Sequence, residues 1–444
     1  MLQAVAFLKK EVLMKRSILN SAIFMMAFVV TSLSSWVPAE EKKPSEQPPV
    51  SDQPALAVLP FNHPNGTPES DYLTDLTTVN ISDILQKIPA LLVISGAAPN
   101  QGQAVSLPQL AKAWGVRYVL EGNVQKTGER VRITAKLSDA EKDQPLWSEE
   151  YERELSAIFD LHDKITRKVV STLGVTLSPE EQARVWRRPT RSVEAYQALL
   201  QARERFLRFT KEDFTQAQQL AERAIALDPE FVRAYAQLGF IHYDTILYGW
   251  AEDPAAALAR AADLAHKAMA IDDHNPYTLD LLSRIEAKQG HIEQALALSE
   301  KAIAFSPSNS NFVFGQGVLL NEYASKPAEA LLLLQKAIRL SPGSYPAAYD
   351  EILGRAHYAL GEYDKALALF EKYHQLNPKD TDGFVEVAFA LAELGRLDEA
   401  RAKVGELLKL DPKFTFANYT GSTSKNSAVV QRLRDNLRKA GLSE

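Results

Sequence analysis

The strongest constraint on the fold of this chain is a repeat of about 34 residues in its second half. Six alanines open the same phrase, at Ala217, Ala261, Ala295, Ala330, Ala366 and Ala400, with spacings of 44, 34, 35, 36 and 34 residues. Twelve residues after each alanine comes a helix stop, which is proline in five of the six cases. A small residue lets two helices cross closely, and proline cannot donate a backbone N–H. The pattern therefore predicts a row of helical hairpins.

A period of this length with these fixed positions is typical of tetratricopeptide repeats. We predict six such hairpins over residues 190–412, followed by a capping helix and tail over residues 413–444. The 44-residue step contains an insertion of ten residues, Asp244–Asp253, between the two helices of the second repeat. Tyr248 and Trp250 in this insertion either cap a ligand groove or pack the longer loop onto neighbouring helices, and the second interpretation is favoured.

Residues 55–178 show a different pattern, which predicts a mixed α/β domain ahead of the all-α solenoid. Short apolar runs bounded by turn residues predict strands, and apolar residues at helical spacing predict helices. The predicted strands cover residues 56–61, 91–94, 117–125, 130–139 and 146–152, and the predicted helices cover 72–86, 107–114 and 158–173. Alternation of apolar and polar residues over 130–139 indicates a half-exposed antiparallel hairpin with its turn at 126–129.

Several strings in this region resemble the TolB-like amino-terminal domain that precedes tetratricopeptide repeats. They are LAVLPF (56–61), GVRYVLEGNVQKTGERVRITAKLSDA (115–140), PLWSEEYERE (145–154), IFDLHDKIT (158–166) and RRPT (187–190). In the resembled family this domain often follows a class III adenylate cyclase or a winged-helix DNA-binding domain. Here the segment 62–76 departs from the family pattern and no such effector domain is recognised, so catalytic and DNA-binding roles carry over to no residue.

The amino-terminal residues 1–39 have the pattern of an export signal. Lys15 and Arg16 precede an apolar stretch, and the small residues before Ala39 fit cleavage after that position. The alternative is an uncleaved anchor formed by residues 18–36. Both alternatives place the remainder outside the cytoplasm, which predicts a periplasmic protein of a Gram-negative-type bacterium. Whether translation starts at Met1 or Met14 stays open.

Residues 40–54, EEKKPSEQPPVSDQP, contain four prolines and few apolar residues, so we predict a disordered linker. The chain has 444 residues, 50 Lys and Arg, 56 Asp and Glu, and no cysteine. The lack of cysteine excludes disulfides, thiolate zinc sites and cysteine nucleophiles. The net charge of −6 gives no overall attraction to nucleic acid, and membrane contact is expected only through an uncleaved amino-terminal segment.

No catalytic, metal or cofactor motif is recognised, so we predict a protein that is not an enzyme and holds no cofactor. Asp272-Asp273-His274 offers three metal-ligand types in a row, but these residues also suit a turn between repeats. His162-Asp163 suggests an acid–base pair, but neighbouring residues on a helix do not face each other. The basic cluster of Arg184, Arg187, Arg188, Arg191, Arg203, Arg205 and Arg208 is interpreted as a solvated interdomain surface rather than a nucleic-acid site.

The remaining candidate is the concave groove that stacked hairpins form with their first helices. Helical spacing from the crossing small residues predicts a peptide-binding set of Phe240, Tyr243, Arg284, Asn321, Arg355 and Tyr358. Packing between repeats is the alternative role for the aromatic members. We predict an exported scaffold or adaptor that binds a protein or peptide of the cell envelope. The alternative is a sensory module that binds a small ligand or peptide and signals through a separate membrane partner.

Overall fold

The computed structural model describes residues 53–63, 68–96, 106–343, 347–416, 419 and 427–442. It confirms the predicted fold class, an α/β region followed by an all-α solenoid of helical hairpins. The predicted signal or anchor and most of the predicted linker lie outside the described residues. None of the helices in the described ranges is both long and apolar enough to cross a membrane.

The α/β domain is built on one five-stranded sheet with the order β2-β1-β3-β4-β5. Its strands are β1 (Ala55–Val58), β2 (Leu92–Ser95), β3 (Tyr118–Thr127), β4 (Arg130–Asp139) and β5 (Gln144–Glu154). Strand β1 pairs in parallel with β2 and β3, and β3, β4 and β5 form an antiparallel meander. The predicted hairpin is confirmed, but its turn is shorter than 126–129. Only Gly128 and Glu129 connect the strands, and Gly128 has a left-handed φ of 59°, which glycine adopts without steric cost.

Three helices cover the two faces of this sheet. They are α1 (Pro68–Gln86), α2 (Leu107–Trp114) and α3 (Ile158–Thr172). Alternate residues of β1 point to opposite faces, so that Leu56 packs in the cluster with α1 and α3, and Ala57 packs in the cluster with α2. The short β1 is buried on both faces, as its unbroken apolar sequence predicts.

A short helix, α4 (Pro179–Val185), leads into six antiparallel helical hairpins. Each hairpin has a first and a second helix: α5 (Val193–Phe206) and α6 (Lys211–Leu227), α7 (Val232–Leu247) and α8 (Pro254–Ile271), α9 (Pro276–Gln289) and α10 (Ile292–Phe305), α11 (Ser310–Val318) and α12 (Pro327–Leu340), α13 (Ala348–Ala359) and α14 (Tyr363–Leu376), and α15 (Thr381–Glu393) and α16 (Leu397–Leu410). The predicted capping helix is α17 (Ser427–Lys439), which packs on α15 and α16 through Leu433 and Leu437.

The small residues of the repeat phrase lie where helices cross, as predicted. The six alanines that define the phrase are all fully buried. A Cβ atom added to Gly317 would lie 2.7 Å from Leu334 Cδ2, and one added to Gly354 would lie 2.6 Å from Phe370 Cε1. In both hairpins the second helix therefore approaches the first too closely for a larger residue.

The α/β domain packs against the repeats, and its core continues into them. Phe159 on α3 contacts Tyr196 on α5, and Tyr196 stacks on Phe231, with ring centroids 5.6 and 5.8 Å apart. All three rings belong to the same buried cluster as the sheet and α1. The domain and the first hairpin therefore share one hydrophobic core, although the sequence predicts a boundary between them.

A second set of contacts covers the edge of the sheet. Ser308, in the turn before α11, accepts a hydrogen bond from the Val93 N–H at 3.1 Å and donates one to the Leu91 carbonyl at 3.3 Å. Asn309 donates to the Gln86 side chain at 3.2 Å. Strand β2 is an edge strand, so these bonds occupy a backbone group that would otherwise lack a partner.

Candidate functional site

The predicted peptide-binding residues all lie on the first helices of hairpins two to five or at their ends. Neighbouring first helices lie side by side, with α7 beside α9 and α9 beside α11. We call the surface formed by α7, α9, α11, α13 and α15 the first-helix face. These helices bury residues on most sides, including acidic ones, which is unusual because unpaired charges are costly to bury.

Arg284 is the centre of one group of side chains on this face. Its guanidinium lies 3.0 Å from the Asp280 carboxylate and 5.2 Å from the centroid of the Phe240 ring. Phe240 is partly exposed, and the Arg284 side chain keeps 28% of its surface accessible, whereas Tyr243 is buried. Phe240 and Arg284 are therefore the two members of this group that a bound peptide could reach without rearrangement.

Asp244 adds an unusual carboxylate to the same group. It is 8% exposed, and its buried Oδ1 atom has no hydrogen-bond partner among the described residues. Burial raises its pKa to about 7, against the attraction of Arg284 and with the repulsion of Asp280. When a buried acid titrates near neutral pH, a charged group placed beside it decides whether the acid is ionised. The sequence pattern gave no reason to select Asp244.

Arg355 forms the second group and already has two carboxylate partners. Its Nε donates to Glu386 Oε1 at 2.6 Å, and a terminal nitrogen donates to Glu351. The Tyr419 hydroxyl also donates to Glu386, at 3.2 Å. Burial raises the pKa of Glu351 to about 7 and that of Glu386 well above its ordinary value, and Arg355 opposes both shifts. With its side chain 13% exposed, Arg355 is placed mainly inside the array.

Tyr358 and Asn321 are buried as well. The Tyr358 hydroxyl donates to Glu393 at 2.9 Å, and its ring packs edge-on against Phe389, with centroids 4.7 Å apart. Asn321 lies in a π-helical turn, Leu319–Tyr323, and donates to Glu322 at 2.8 Å while its own Oδ1 has no partner. Single π-helical turns are often found at functional positions.

The aromatic residues of the insertion pack the longer loop onto neighbouring helices, which confirms the favoured interpretation. Tyr248 stacks on Trp250 with centroids 4.9 Å apart, and Trp250 meets Phe214 edge-on at 5.0 Å. Trp250 therefore covers the first hairpin. Tyr248 is 40% exposed and lies beside Phe209, which is 39% exposed.

The arginine cluster is in part the solvated interdomain surface that the sequence predicts, since the side chains of Arg187, Arg188 and Arg208 are 54, 43 and 47% exposed, but several members also make specific contacts. Arg184 is half-buried and donates to the carbonyl of Phe305 in the third hairpin. Arg187 lies 2.7 Å from Asp272, and Arg188 pairs with Asp160 and Asp163 on α3. The side chains of this segment therefore connect the α/β domain to the repeats, because α4 and the residues after it run between the two.

The two weaker candidates from the sequence have structural roles. Ligand atoms of Asp272, Asp273 and His274 lie within 4.8 Å of one another, but Asp272 already pairs with Arg187. His162 is fully buried: its Nδ1–H donates to Asn80 at 3.0 Å, and the Thr77 hydroxyl lies 3.2 Å from its Nε2. Burial lowers the pKa of His162 to about 3, so the ring is neutral and bridges α3 to α1.

Comparison with known proteins supports the class that this geometry defines. Family models described as tetratricopeptide repeat match residues 322–381 and 357–419. Residues 322–419 are thus tetratricopeptide repeats, and hairpins of the same kind extend back to Val193. Arrays of such repeats are typically non-enzymatic scaffolds that bind proteins or peptides.

Two curated relatives cover part of the chain. "Putative adenylate cyclase 3" of Rhizobium meliloti (strain 1021) is 33% identical over 258 residues, which are 57% of this chain and 42% of the relative. Superkiller complex protein 3 of Mus musculus is 26% identical over 236 residues, which are 46% of this chain and 15% of the relative. The chain therefore spans less than half the length of either relative.

Solved structures resemble the repeat array only in part. Pseudomonas aeruginosa pilF is 18% identical with a TM-score of 0.36, over 51% of this chain and 96% of that chain. YrrB, described as a tetratricopeptide-repeat protein with an unusual peptide-binding site, is 19% identical with a TM-score of 0.31, over 44% of this chain and 93% of that chain.

Proposed function

We propose that this protein is an exported scaffold of the bacterial envelope, which binds a peptide segment of another protein in the concave groove along its first helices. The observation that carries the proposal is the group formed by Phe240, Arg284 and Asp280. It combines a partly exposed aromatic ring, a partly exposed guanidinium and a buried carboxylate on one face. Aromatic and arginine side chains in such a setting are common centres of binding energy.

One carboxylate on this face favours a partner segment that carries a basic side chain. Asp280 pairs with Arg284, and Glu351 and Glu386 both pair with Arg355. Asp244 is the only one of these four carboxylates for which no ion-pair partner is found in the described part of the chain. A lysine or arginine of the partner beside Asp244 would favour its charged form and would therefore lower its pKa.

Site-specific photo-crosslinking in the native cell tests the proposal. A benzoylphenylalanine at position 240 should crosslink a defined partner, and Arg284→Glu in the same chain should reduce that product at least tenfold. The matched control places the crosslinker at Leu332, which is 68% exposed on the second helix α12. Equal products from positions 240 and 332, or a product that Arg284→Glu leaves unchanged, would refute groove binding.

The export part of the proposal is tested separately. Periplasmic fractionation followed by amino-terminal sequencing should find the protein outside the cytoplasm with a mature start at Glu40. A membrane-bound protein that retains residues 18–36 would favour the anchored alternative. A protein found in the cytoplasm would contradict export in either form.

A further inference from the structure

A pocket of about 1200 Å³ lies between the α/β domain and the repeats. Helix α1 forms one wall, residues 180–192 form a second, and the turns before α7 and α9 form a third, with Phe305 at one end. We call this space the interdomain pocket. It is distinct from the first-helix face, because it is lined by residues from the starts of the first helices and from the turns that precede them.

Several of the charged side chains around the interdomain pocket form ion pairs. Arg233 pairs with Asp83 and Arg187 pairs with Asp272. Arg188 pairs with the carboxylates of α3, and these pairs connect the walls of the pocket. Glu180, Arg191 and Glu230 also line the pocket but are exposed to solvent, and Asp228 accepts a hydrogen bond from the Thr190 hydroxyl.

Lys87 and Arg184 are different. Both line the pocket, and in the described part of the chain no carboxylate lies within 4.0 Å of either side-chain cation. The Arg184 guanidinium donates to the Phe305 carbonyl and lies 5.2 Å from the centroid of the Phe305 ring. Two cations that line one pocket without a direct ion pair among the described residues are unfavourable in the empty protein, because each loses hydration and they repel each other.

The electrostatics agree with this geometry. Burial lowers the pKa of Lys87 below its ordinary value, nearby Asp83 opposes the shift, and Arg233 and Arg184 add to it. Burial also lowers the pKa of Arg184. An anion in the pocket would oppose both shifts at once, because it would place a negative charge in direct contact with both side chains.

We propose that the interdomain pocket binds a small oxyanion, a phosphate- or carboxylate-bearing metabolite, between Lys87 and Arg184. The volume of about 1200 Å³ is slightly above the roughly 300–1,000 Å³ that is common for small-ligand pockets, so it admits a metabolite but not a folded partner. Lysine and arginine are the usual ligands of phosphate and carboxylate groups. A ligand held there contacts the α/β domain through Lys87 and helix α4 through Arg184, which in turn donates to the Phe305 carbonyl of the third hairpin. Its binding would therefore stabilise the contact between domain and repeats, and of the two roles left open by the sequence it would favour the sensory one.

Binding of simple anions to the full-length protein tests this inference. Thermal unfolding and titration calorimetry are measured in sodium phosphate, in sodium citrate and in sodium chloride at equal ionic strength. We expect phosphate or citrate at saturation to raise Tm by at least about 2 °C over chloride. The anion that gives the larger increase in Tm shows whether the site prefers a phosphate or a carboxylate group.

Lys87→Gln separates a ligand site from a structural ion pair. We expect it to weaken the anion affinity about tenfold or more, and to leave Tm without anion unchanged or raised, because an uncompensated charge is removed. Lys87→Arg should retain binding. Lys164→Gln, which removes an exposed lysine of α3 outside the pocket, should change neither quantity.

Three results would overturn the inference. They are no Tm shift with either anion, an affinity that Lys87→Gln leaves intact, and a lower Tm of Lys87→Gln in the absence of anion. None of them bears on the proposed peptide groove, because Phe240 and Arg284 lie outside the pocket. Conversely, loss of crosslinking at position 240 would leave the anion measurements unaffected.

Discussion

Arg233 on α7 and Asp83 on α1 form a buried ion pair that joins the repeat array to the α/β domain. Two tyrosine side chains contact the pair. The Tyr277 hydroxyl donates to Asp83 at 3.0 Å, the Tyr277 ring lies 4.3 Å from the guanidinium, and Arg233 donates to the Tyr196 hydroxyl at 3.2 Å. The second and third hairpins therefore each supply one side chain to a single carboxylate of the neighbouring domain, and the first hairpin joins them through the bond from Arg233 to Tyr196.

Removing one member of this pair should destabilise the contact between the two regions. Asp83→Ala leaves a buried guanidinium without a counter-ion, and we expect the free energy of unfolding to fall by about 3–5 kcal/mol in denaturant titrations. The double variant Asp83→Ala/Arg233→Met should recover part of that loss. Arg208→Ala, which removes an exposed arginine paired with Glu204, should cost less than about 1 kcal/mol. A small loss for Asp83→Ala would contradict the importance of the pair.

His162 predicts a dependence of stability on acid pH. Its pKa in the folded protein is about 3, below the ordinary 6.5, so the unfolded state takes up a proton that the folded state refuses. The contribution of neutral His162 to the free energy of unfolding is complete above about pH 6.5. It is lost as the pH falls toward 3, by up to about 1.4 kcal/mol per pH unit. In His162→Gln this part of the slope should disappear. NMR should show no titration of the wild-type ring between pH 7 and pH 5, and a midpoint near 6.5 would contradict its burial.

Asp244 predicts the opposite dependence near neutral pH. Its folded pKa of about 7 lies above the ordinary 3.8, so the folded state holds a proton that the unfolded state releases. Stability from this group is complete below about pH 3.8 and declines as the pH rises toward 7. Asp244→Asn should therefore be more stable than the wild type at pH 8, by up to about 4 kcal/mol, and equal to it below pH 4. Urea titrations at both values measure the difference, and equal stability at pH 8 would count against the buried charge.

Gly354 predicts how tightly the hairpins pack. A Cβ at this position would lie 2.6 Å from Phe370 Cε1, and Phe370 is fully buried, so Gly354→Val should cost about 1–3 kcal/mol in unfolding free energy. Gly405, on α16, provides the matched control, because a Cβ there meets nothing within 4 Å. Gly405→Ala should be neutral or stabilise by up to about 1 kcal/mol. Similar losses for both variants would mean that backbone conformation, not packing, governs these positions.

Much of the fold could be predicted because its signals are local. The phrase around the six alanines repeats at one phase, all six are fully buried, and Gly317 and Gly354 lie against the second helix of their own hairpins. The alternation over 130–139 likewise depends only on neighbouring strands, and it predicts β4 with both of its ends correct. Periodicity reports which side of an element is buried, and it succeeds where that side faces a sequence neighbour.

The candidate site could be predicted only in part. Helical spacing selects side chains that point in one direction, but it does not say whether another helix already covers them. Phe240 and Arg284 remain accessible, whereas Tyr243 and Tyr358 are covered by neighbouring elements. Asp244 and Lys87 have no distinctive motif, since what makes them unusual is burial without a direct ion pair in the part of the chain that the structure describes.

The sequence by itself determined the two-part architecture, the hairpin period and the positions where helices cross closely, because these follow from the size and polarity of residues near one another along the chain. Only the tertiary structure decided that the α/β domain shares a core with the first hairpin, and that Asp83 meets Arg233 across 150 residues. It also decided which arginines are neutralised and which cations are left facing the interdomain pocket. Charge pairing and burial depend on distances between segments remote in sequence, and no local pattern records those distances.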